Sequence, residues 1–350
     1  MFLNLGGATF FMFSVHHYEF ILYWKGYFMK KTKLLFLCLA VAMVAVALMG
    51  CGSTSGTVGD SADSAGELTG SFTVTDMTDK EIVFDQPVEK IVALTAADCE
   101  IIYALGGGDL LVGRGEYCDY PEDILAVPTV QSGADTNIEQ LIALAPDMVL
   151  MSTMAQTKEQ VAALQNAGIK VVVSDAQNIA GVYTAIELIG ALIDKNDEAE
   201  AMIASMKSTF EEISAKCANA DEKTVYFEVS PLEWGLWTAG NDTFMDELAD
   251  MLELTNVFAD VNGWAEISEE QVLQRNPDYI VTTAMYFGEG LPPEEEIVSR
   301  EGWQNMKAIQ NGAIFNVDSN AISRPGPRLA DALVSMYDFI YGGKAATSAE

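Results

Sequence analysis

DEAEAMIASMKSTFEEISAKCA, residues 197–218, holds its apolar side chains at Ile203, Met206, Phe210, Ile213 and Cys217, alternately three and four apart. That spacing predicts one helical stripe, with Glu200, Lys207, Glu211 and Lys216 turned to solvent. No Gly or Pro interrupts the run. At 1.5 Å per residue it would span roughly 30 Å, about the width of a small domain. Asp194-Lys195-Asn196 breaks the preceding helical pattern, and Asp197 is expected as the N-cap. The stretch by itself fits either a rigid rod between two lobes or a surface helix of one domain. Its flanks decide between them.

On the N-terminal side, 72–74 and 81–84 read as a short hairpin, and 90–94, 111–112, 147–151 and 169–173 as buried strands. Helical patterns at 98–105, 138–144, 158–166 and 179–193 alternate with them. On the C-terminal side the plan recurs: strands at 224–229, 279–283 and 314–317, helices at 244–252 and 269–275, and a terminal amphipathic helix from Leu329 closed by Gly342-Gly343. Alternation of short apolar strands with helices predicts an α/β fold with parallel sheets. NIEQLIALAPDMVLM (137–151) also aligns without gaps on SEEQVLQRNPDYIVT (268–282). Each copy has an N-cap residue, Glu-Gln at the second and third helical positions, and Pro-Asp before an apolar strand. Two copies flanking a long helix favour two similar lobes, 71–193 and 220–343, joined by a helix over 194–219. Gly106-Gly107-Gly108 and Gly113-Arg114-Gly115 lack the strand–turn–helix context of a phosphate loop.

The chain has 350 residues, half of them hydrophobic, which is length and apolar content enough for two cores. Its formal charge is −32. The first 51 residues carry Lys25, Lys30, Lys31, Lys33 and one acid, Glu19, so 15 basic residues face 50 acidic ones thereafter. A surface this acidic repels phosphate backbones, which argues against nucleic-acid binding. Lys30-Lys31-Thr32-Lys33 precedes an apolar run, 34–49, that ends in Leu48-Met49-Gly50-Cys51. Charge, apolar run, small residue and Cys in that order make a secretory signal with a lipobox, and Cys51 the lipidated first residue. Residues 1–28 precede a better start at Met29 and fit an upstream mis-called one. The Gly/Ser/Thr/Asp-rich stretch 52–70 reads as a flexible tether of roughly 25 Å, and 344–350 as a tail.

Removing the leader removes His16 and His17, the only histidines. That excludes His-based triads, His–metal sites and His haem ligation from the mature protein. Cys99, Cys118 and Cys217 remain besides Cys51. An odd number does not indicate a disulfide framework, so they read as small buried apolar residues.

KIVALTAADCEIIYALG (90–106), VGRGEYCDYP (112–121), VPTV (127–130), NIEQLIALAPD (137–147), the long helix, GWAEISEEQVLQRNPD (263–278), GW (302–303), QNGAIFNVD (310–318) and RPGPRLADAL (324–333) follow the lipobox in order. Together they resemble a helical-backbone solute-binding lipoprotein of ABC importers for vitamin B12, ferric siderophores and haem. The resemblance implies two α/β lobes joined by one long helix, with ligand in the cleft between them. It also implies one Glu per lobe, Glu139 and Glu270 here, fitted into arginine pockets of a dimeric permease with its ATPase. A symmetric pair of surface carboxylates can register a two-lobed body on a two-fold receptor; each Glu would also be favourable as a plain helix-N-terminal residue.

For ligand contact the resemblance matches Tyr117 and Trp264 to positions where B12-binding relatives place aromatic side chains over the corrin. Trp234 and Trp237 join them as candidates, with core filling as their other role. Arg324 and Arg328 flank Pro325-Gly326-Pro327; either could meet an anionic ligand group or a neighbouring carboxylate, and Arg114 carries the same ambiguity. Ser152 and Thr153 follow a strand end, where open α/β sheets bind ligands. No catalytic residue and no metal ligand set is assigned. The expected function is an extracytoplasmic, lipid-anchored monomeric receptor on the outer face of the cytoplasmic membrane. Its cargo is a corrinoid or an iron chelate, with haem ligation left to Tyr or Met. A carboxylate-dependent extracellular hydrolase and a surface interaction module are the competing classes.

Overall fold

The structure, a computed structural model, describes residues 70–133, 136–153, 157–286, 288 and 290–342. Cys51, the leader before it, the expected tether up to residue 69 and the tail 344–350 lie outside the described residues.

The chain opens with an antiparallel hairpin, β1 (Phe72–Thr75) and β2 (Glu81–Phe84). Then follow β3 (Ile91–Ala93), α1 (Ala96–Ala104), β4 (Leu111–Gly115), β5 (Thr129–Val130), α2 (Ile138–Leu144), β6 (Met148–Met151), α3 (Lys158–Asn166), β7 (Lys170–Val173) and α4 (Ile179–Leu192). The long helix α5 (Asn196–Cys217) leads to β8 (Lys223–Glu228), β9 (Trp237–Ala239), α6 (Phe244–Met251), β10 (Leu254–Asn256), β11 (Trp264–Glu266) and α7 (Glu269–Arg275). The chain ends with β12 (Tyr279–Thr282), α8 (Pro293–Ser299), α9 (Lys307–Gln310), β13 (Ile314–Asn316), α10 (Ser319–Ser323) and α11 (Leu329–Tyr341).

Two parallel sheets result, in the orders β5-β4-β3-β6-β7 and β10-β8-β12-β13. Both faces of each are covered, as parallel sheets require. In the first sheet Ile91, Ala93, Met148 and Leu150 enter one apolar cluster, while Val92, Leu94, Val149 and Met151 alternate into another. In the second sheet Val225, Phe227 and Val281 share the first of these clusters, and Tyr226 and Ile280 face a separate one with Trp303. The stripe Ile203, Met206, Phe210, Ile213 and Cys217 is buried in the cluster common to both lobes. Burying such side chains contributes about 1.5–3 kcal/mol each as an upper estimate. Helix α5 packs against α4 of the first lobe and against α6 and α11 of the second, so it is a spine rather than a surface helix of one domain.

The expected N-cap of this helix is corrected. Helix α5 begins at Asn196, and Lys195 holds the cap position without a side-chain cap bond. Asp194 has φ 57, so the chain turns there and the helix begins two residues earlier than an Asp197 cap would place it. Asp197 and Glu198 then occupy the first turn, where they oppose the positive end of the helix dipole.

The sequence repeat is structural down to its hydrogen bonds. Asn137 Oδ1 accepts from the Gln140 N–H at 3.0 Å, and Ser268 Oγ from the Gln271 N–H at 3.3 Å. Helices α2 and α7 both end in a left-handed residue, Ala145 and Asn276. The Asp after each Pro then closes the start of a neighbouring strand. Asp147 Oδ2 accepts from Glu89 N and Lys90 N at 2.9 and 2.8 Å. Asp278 Oδ2 accepts from Thr224 N and Oγ1 at 3.0 and 2.8 Å. Strands β6 and β12 therefore enter their sheets beside β3 and β8 in the same way. The repeat places Glu139 and Glu270, both exposed, at the second position of equivalent helices.

Candidate functional site

Parallel strands bring their C-terminal ends to one edge, where the connecting loops can bind ligand. In the first lobe Thr95 follows β3, Tyr117 follows β4, Ser152 follows β6 and Ser174 follows β7; all four line a cavity of about 610 Å³. Gly115 is what lets β4 end there: a Cβ on it would stand 2.4 Å from the Leu94 carbonyl oxygen. The opposite wall comes from the second lobe, with Val229 after β8, Phe244 and Met245 of α6, and Trp264 of β11. The Trp264 and Phe244 rings meet at 5.3 Å and 57°. Gln177 ties the walls together. Its carbonyl accepts from Phe244 N at 3.0 Å, and its Oε1 accepts from the Trp264 indole N–H at 3.3 Å.

A buried ionic cluster makes a second tie. Glu100 of α1 is 3 % exposed. Its Oε1 accepts from Arg324 at 2.8 Å and Arg328 at 2.6 Å, and its Oε2 accepts from Arg328 Nε at 2.8 Å. Arg324 also donates to Asp119 Oδ1 at 2.7 Å and to the Tyr117 carbonyl at 3.2 Å. Arg328 lies over the Tyr120 ring, 4.1 Å from its centroid. Burial alone would lower both guanidinium groups, but the hydrogen bonds that Arg324 donates to Asp119 and Glu100, and Arg328 to Glu100, outweigh it and hold both well protonated. Of the two roles open to these arginines in the sequence, the structure displays the ion pair. Arg114 is buried and donates to the carbonyls of Val127, Gly115 and Cys118.

The remaining expected residues fall as follows. Tyr117, Ser152, Trp264 and Arg324 line the cavity. Arg328 stands behind Arg324 and does not. Thr153 is exposed and donates its hydroxyl to Asp175 Oδ2, acting on the cavity through that carboxylate. Trp234 and Trp237 are corrected as core filler. They are 75 % and 40 % exposed, so they fill no core, and neither lines the cavity. Cys99, Cys118 and Cys217 are free and buried. Among the described residues no group of three or more His, Cys, Asp or Glu is placed to hold a metal, and no helix is long and apolar enough to cross a membrane.

Asp98 and Asp175 line the cavity and were not singled out in the sequence. Thr95-Ala96-Ala97-Asp98 has the spacing of a helix-capping motif, and Thr95 does cap α1, accepting from Asp98 N at 3.2 Å. That local role conceals that Asp98 also lines the cleft wall. Asp98 is 1 % exposed, and Thr95 Oγ1 donates to it at 2.6 Å. Burial pushes its carboxyl up to about 6, against the lowering pull of the Thr95 and Ser174 hydroxyls and with a further push from Asp175. Between its ordinary value and that raised one, the folded state holds a proton that the unfolded chain has released. Stability therefore falls as pH rises through this window. The penalty at pH 7 is about 2–3 kcal/mol. Asp98→Asn is expected to raise stability by about that amount at pH 7 and by almost nothing at pH 4. Urea midpoints at the two pH values check it, and an equal effect at both would refute the assignment.

Comparison with known proteins adds the following. A family model described as periplasmic binding protein matches residues 91–321. The chain is 34% identical over 311 residues to a Bacillus subtilis protein described as an uncharacterized ABC transporter substrate-binding lipoprotein, YvrC, covering 86% of this chain and 95% of that one. It is 23% identical to the vitamin B12-binding protein of Vibrio parahaemolyticus, over 72% of this chain and 89% of that one. Among solved structures, a possible iron-binding (periplasmic solute-binding) protein from Staphylococcus epidermidis is similar with a TM-score of 0.61 and 30% identity, over 73% of this chain and all of that one.

Proposed function

The chain belongs to the periplasmic binding protein family, and from that premise we propose a lipid-anchored receptor that captures a bulky chelate outside the cytoplasmic membrane and delivers it to an ABC permease. The likeness to an ABC transporter substrate-binding lipoprotein supports the transport role. Cys51 is the proposed lipidation site, and 52–70 the tether that holds the lobes off the membrane. The observation that carries the reading is that Tyr117, Trp264 and Arg324, distant in sequence, line one cavity between the lobes. An aromatic on each wall suits a large flat ligand, and a deep interlobe cavity is not what a surface interaction module needs.

Within the receptor reading the cargo is a corrinoid or an iron chelate; haem stays as a variant of the same class. The chelate is cargo, not a resident cofactor, and no catalytic role is assigned to the cleft. The partner is a permease dimer with its ATPase, engaged by one monomeric receptor through Glu139 and Glu270. Calorimetry of the purified protein with cyanocobalamin and with a ferric siderophore is expected to show tight one-to-one binding of one of them. No heat from any of a panel of chelates would refute the ligand claim.

A further inference from the structure

The first-lobe wall of the cavity carries its two acidic residues, the second-lobe wall its Phe244–Trp264 pair and Arg324, and the charges are uneven. Asp98 and Asp175 face the cavity from the first lobe, and Arg324 is the one cation among the described lining residues. The positive charge of Arg324 is already matched within the protein by Glu100 and Asp119, at 2.8 and 2.7 Å. Arg328 behind it is matched by the same Glu100 at 2.6 Å. Arg114 donates to three backbone carbonyls and does not line the cavity. The two cleft aspartates have no such balance. Asp98 is held by the Thr95 hydroxyl, and Asp175 by the Thr153 hydroxyl and by Gln177 Nε2 at 3.1 Å. Glu100, Asp119 and Asp318 thus meet the two guanidinium groups, while Asp98 and Asp175 line the cavity without a cationic partner among the ion pairs of the described residues.

A carboxylate brought into this cleft would meet a guanidinium whose charge is neutralised and two aspartates that repel it. The low local dielectric strengthens that repulsion. An N–H donor would find the opposite: the half-buried Asp175 carboxylate with acceptor capacity left, beside the Ser152 hydroxyl and in the field of the buried Asp98. Hydrogen bonds from N–H to a carboxylate are the stronger, charge-assisted kind.

We propose that the cleft selects a chelate whose rim facing the first lobe carries N–H donors and no free carboxylate: an amide- or amine-fringed, neutral or cationic chelate, rather than a polyanionic one. This rests on the receptor reading above and narrows its ligand class. Asp98 and Asp175 are the specificity-determining residues, and the aromatic wall of Trp264 and Phe244 takes the apolar face of the ligand.

The test uses two matched pairs that differ by one substituent. One is cyanocobalamin and its derivative with one peripheral amide hydrolysed to the carboxylate. The other is an amine-bearing linear ferric trihydroxamate and its N-succinylated form. Haemin and a ferric tricatecholate serve as anionic controls. At pH 7.5, in whichever pair binds, the amide or amine member is expected to bind at least tenfold more tightly than its carboxylate counterpart, and the anionic controls to give no heat. In an Asp98→Asn/Asp175→Asn variant that ratio is expected to shrink toward one. A merely structural role for the aspartates would lower both affinities and leave the ratio unchanged, which would overturn their assignment. Equal or tighter binding of the carboxylate members, or binding of haemin or the tricatecholate alone, overturns the proposal while the receptor reading survives. No binding by any of the six overturns the receptor reading and this proposal with it.

Discussion

Uptake of the cognate chelate is expected to be abolished when Glu139 and Glu270 are both replaced by Arg, with ligand affinity unchanged. The two carboxylates occupy the same position of two equivalent helices, and both are exposed. Neither lines the interlobe cavity. An ion pair at a receptor surface is set by both partners, and a reversed charge replaces attraction with repulsion worth several kcal/mol for each pair. Two such reversals exceed the few kcal/mol that separate productive from unproductive docking. The folding penalty is small by comparison. A cation near a helix N-terminus costs about 0.3–1 kcal/mol at an exposed site. Calorimetry on the purified variant and uptake by cells that carry it as their sole receptor separate the two effects. Normal uptake with normal binding would remove the docking role and leave both residues as helix-terminal carboxylates.

The parts of the molecule legible in the sequence are those whose cause is local. The α5 stripe is a periodicity, and it is buried along its whole predicted length. The Glu-Gln and Pro-Asp repeat is a pair of short-range caps, so two copies could be aligned before either was seen folded, and the hydrogen bonds of Asp147 and Asp278 show why the pattern occurs twice. What stayed hidden depends on distant partners. Glu100 reads as an ordinary residue of a helix; its partners Arg324 and Arg328 are more than 220 positions away. The two-stranded β9–β11 sheet has three residues per strand, too short for a period to register. Trp234 and Trp237 show the limit from the other side. Their chemistry suits a ligand surface, but side-chain type does not say where a loop will leave them.

Of the stability effects, the largest is expected at Glu100. Glu100→Leu removes the carboxylate and leaves two guanidinium groups, with side chains only 11 % and 13 % exposed, facing one another without their shared counter-charge. Removing one partner from a buried ionic cluster typically costs about 3–5 kcal/mol, because the uncompensated charge remains desolvated. Asp119 stays beside Arg324, but its side chain is 51 % exposed, so solvent screens much of its compensation. Arg328 keeps only its stacking on Tyr120 and the distant Asp318 at 3.8 Å. The same physics predicts the rescue. Replacing the whole set, Glu100→Leu with Arg324→Met and Arg328→Met, removes the unpaired charges together and is expected to recover most of the loss, since apolar replacement of a complete buried cluster is often neutral. Urea midpoints of the single and triple variants measure both. If the triple variant is no more stable than Glu100→Leu, the cost lies in the lost packing of α1 and not in stranded charge. The triple variant also separates stability from function: it leaves Asp98 and Asp175 in the cleft wall with no cation opposite them. It is therefore expected to fold, and to reject a carboxylate-bearing chelate more strongly than the parent protein does.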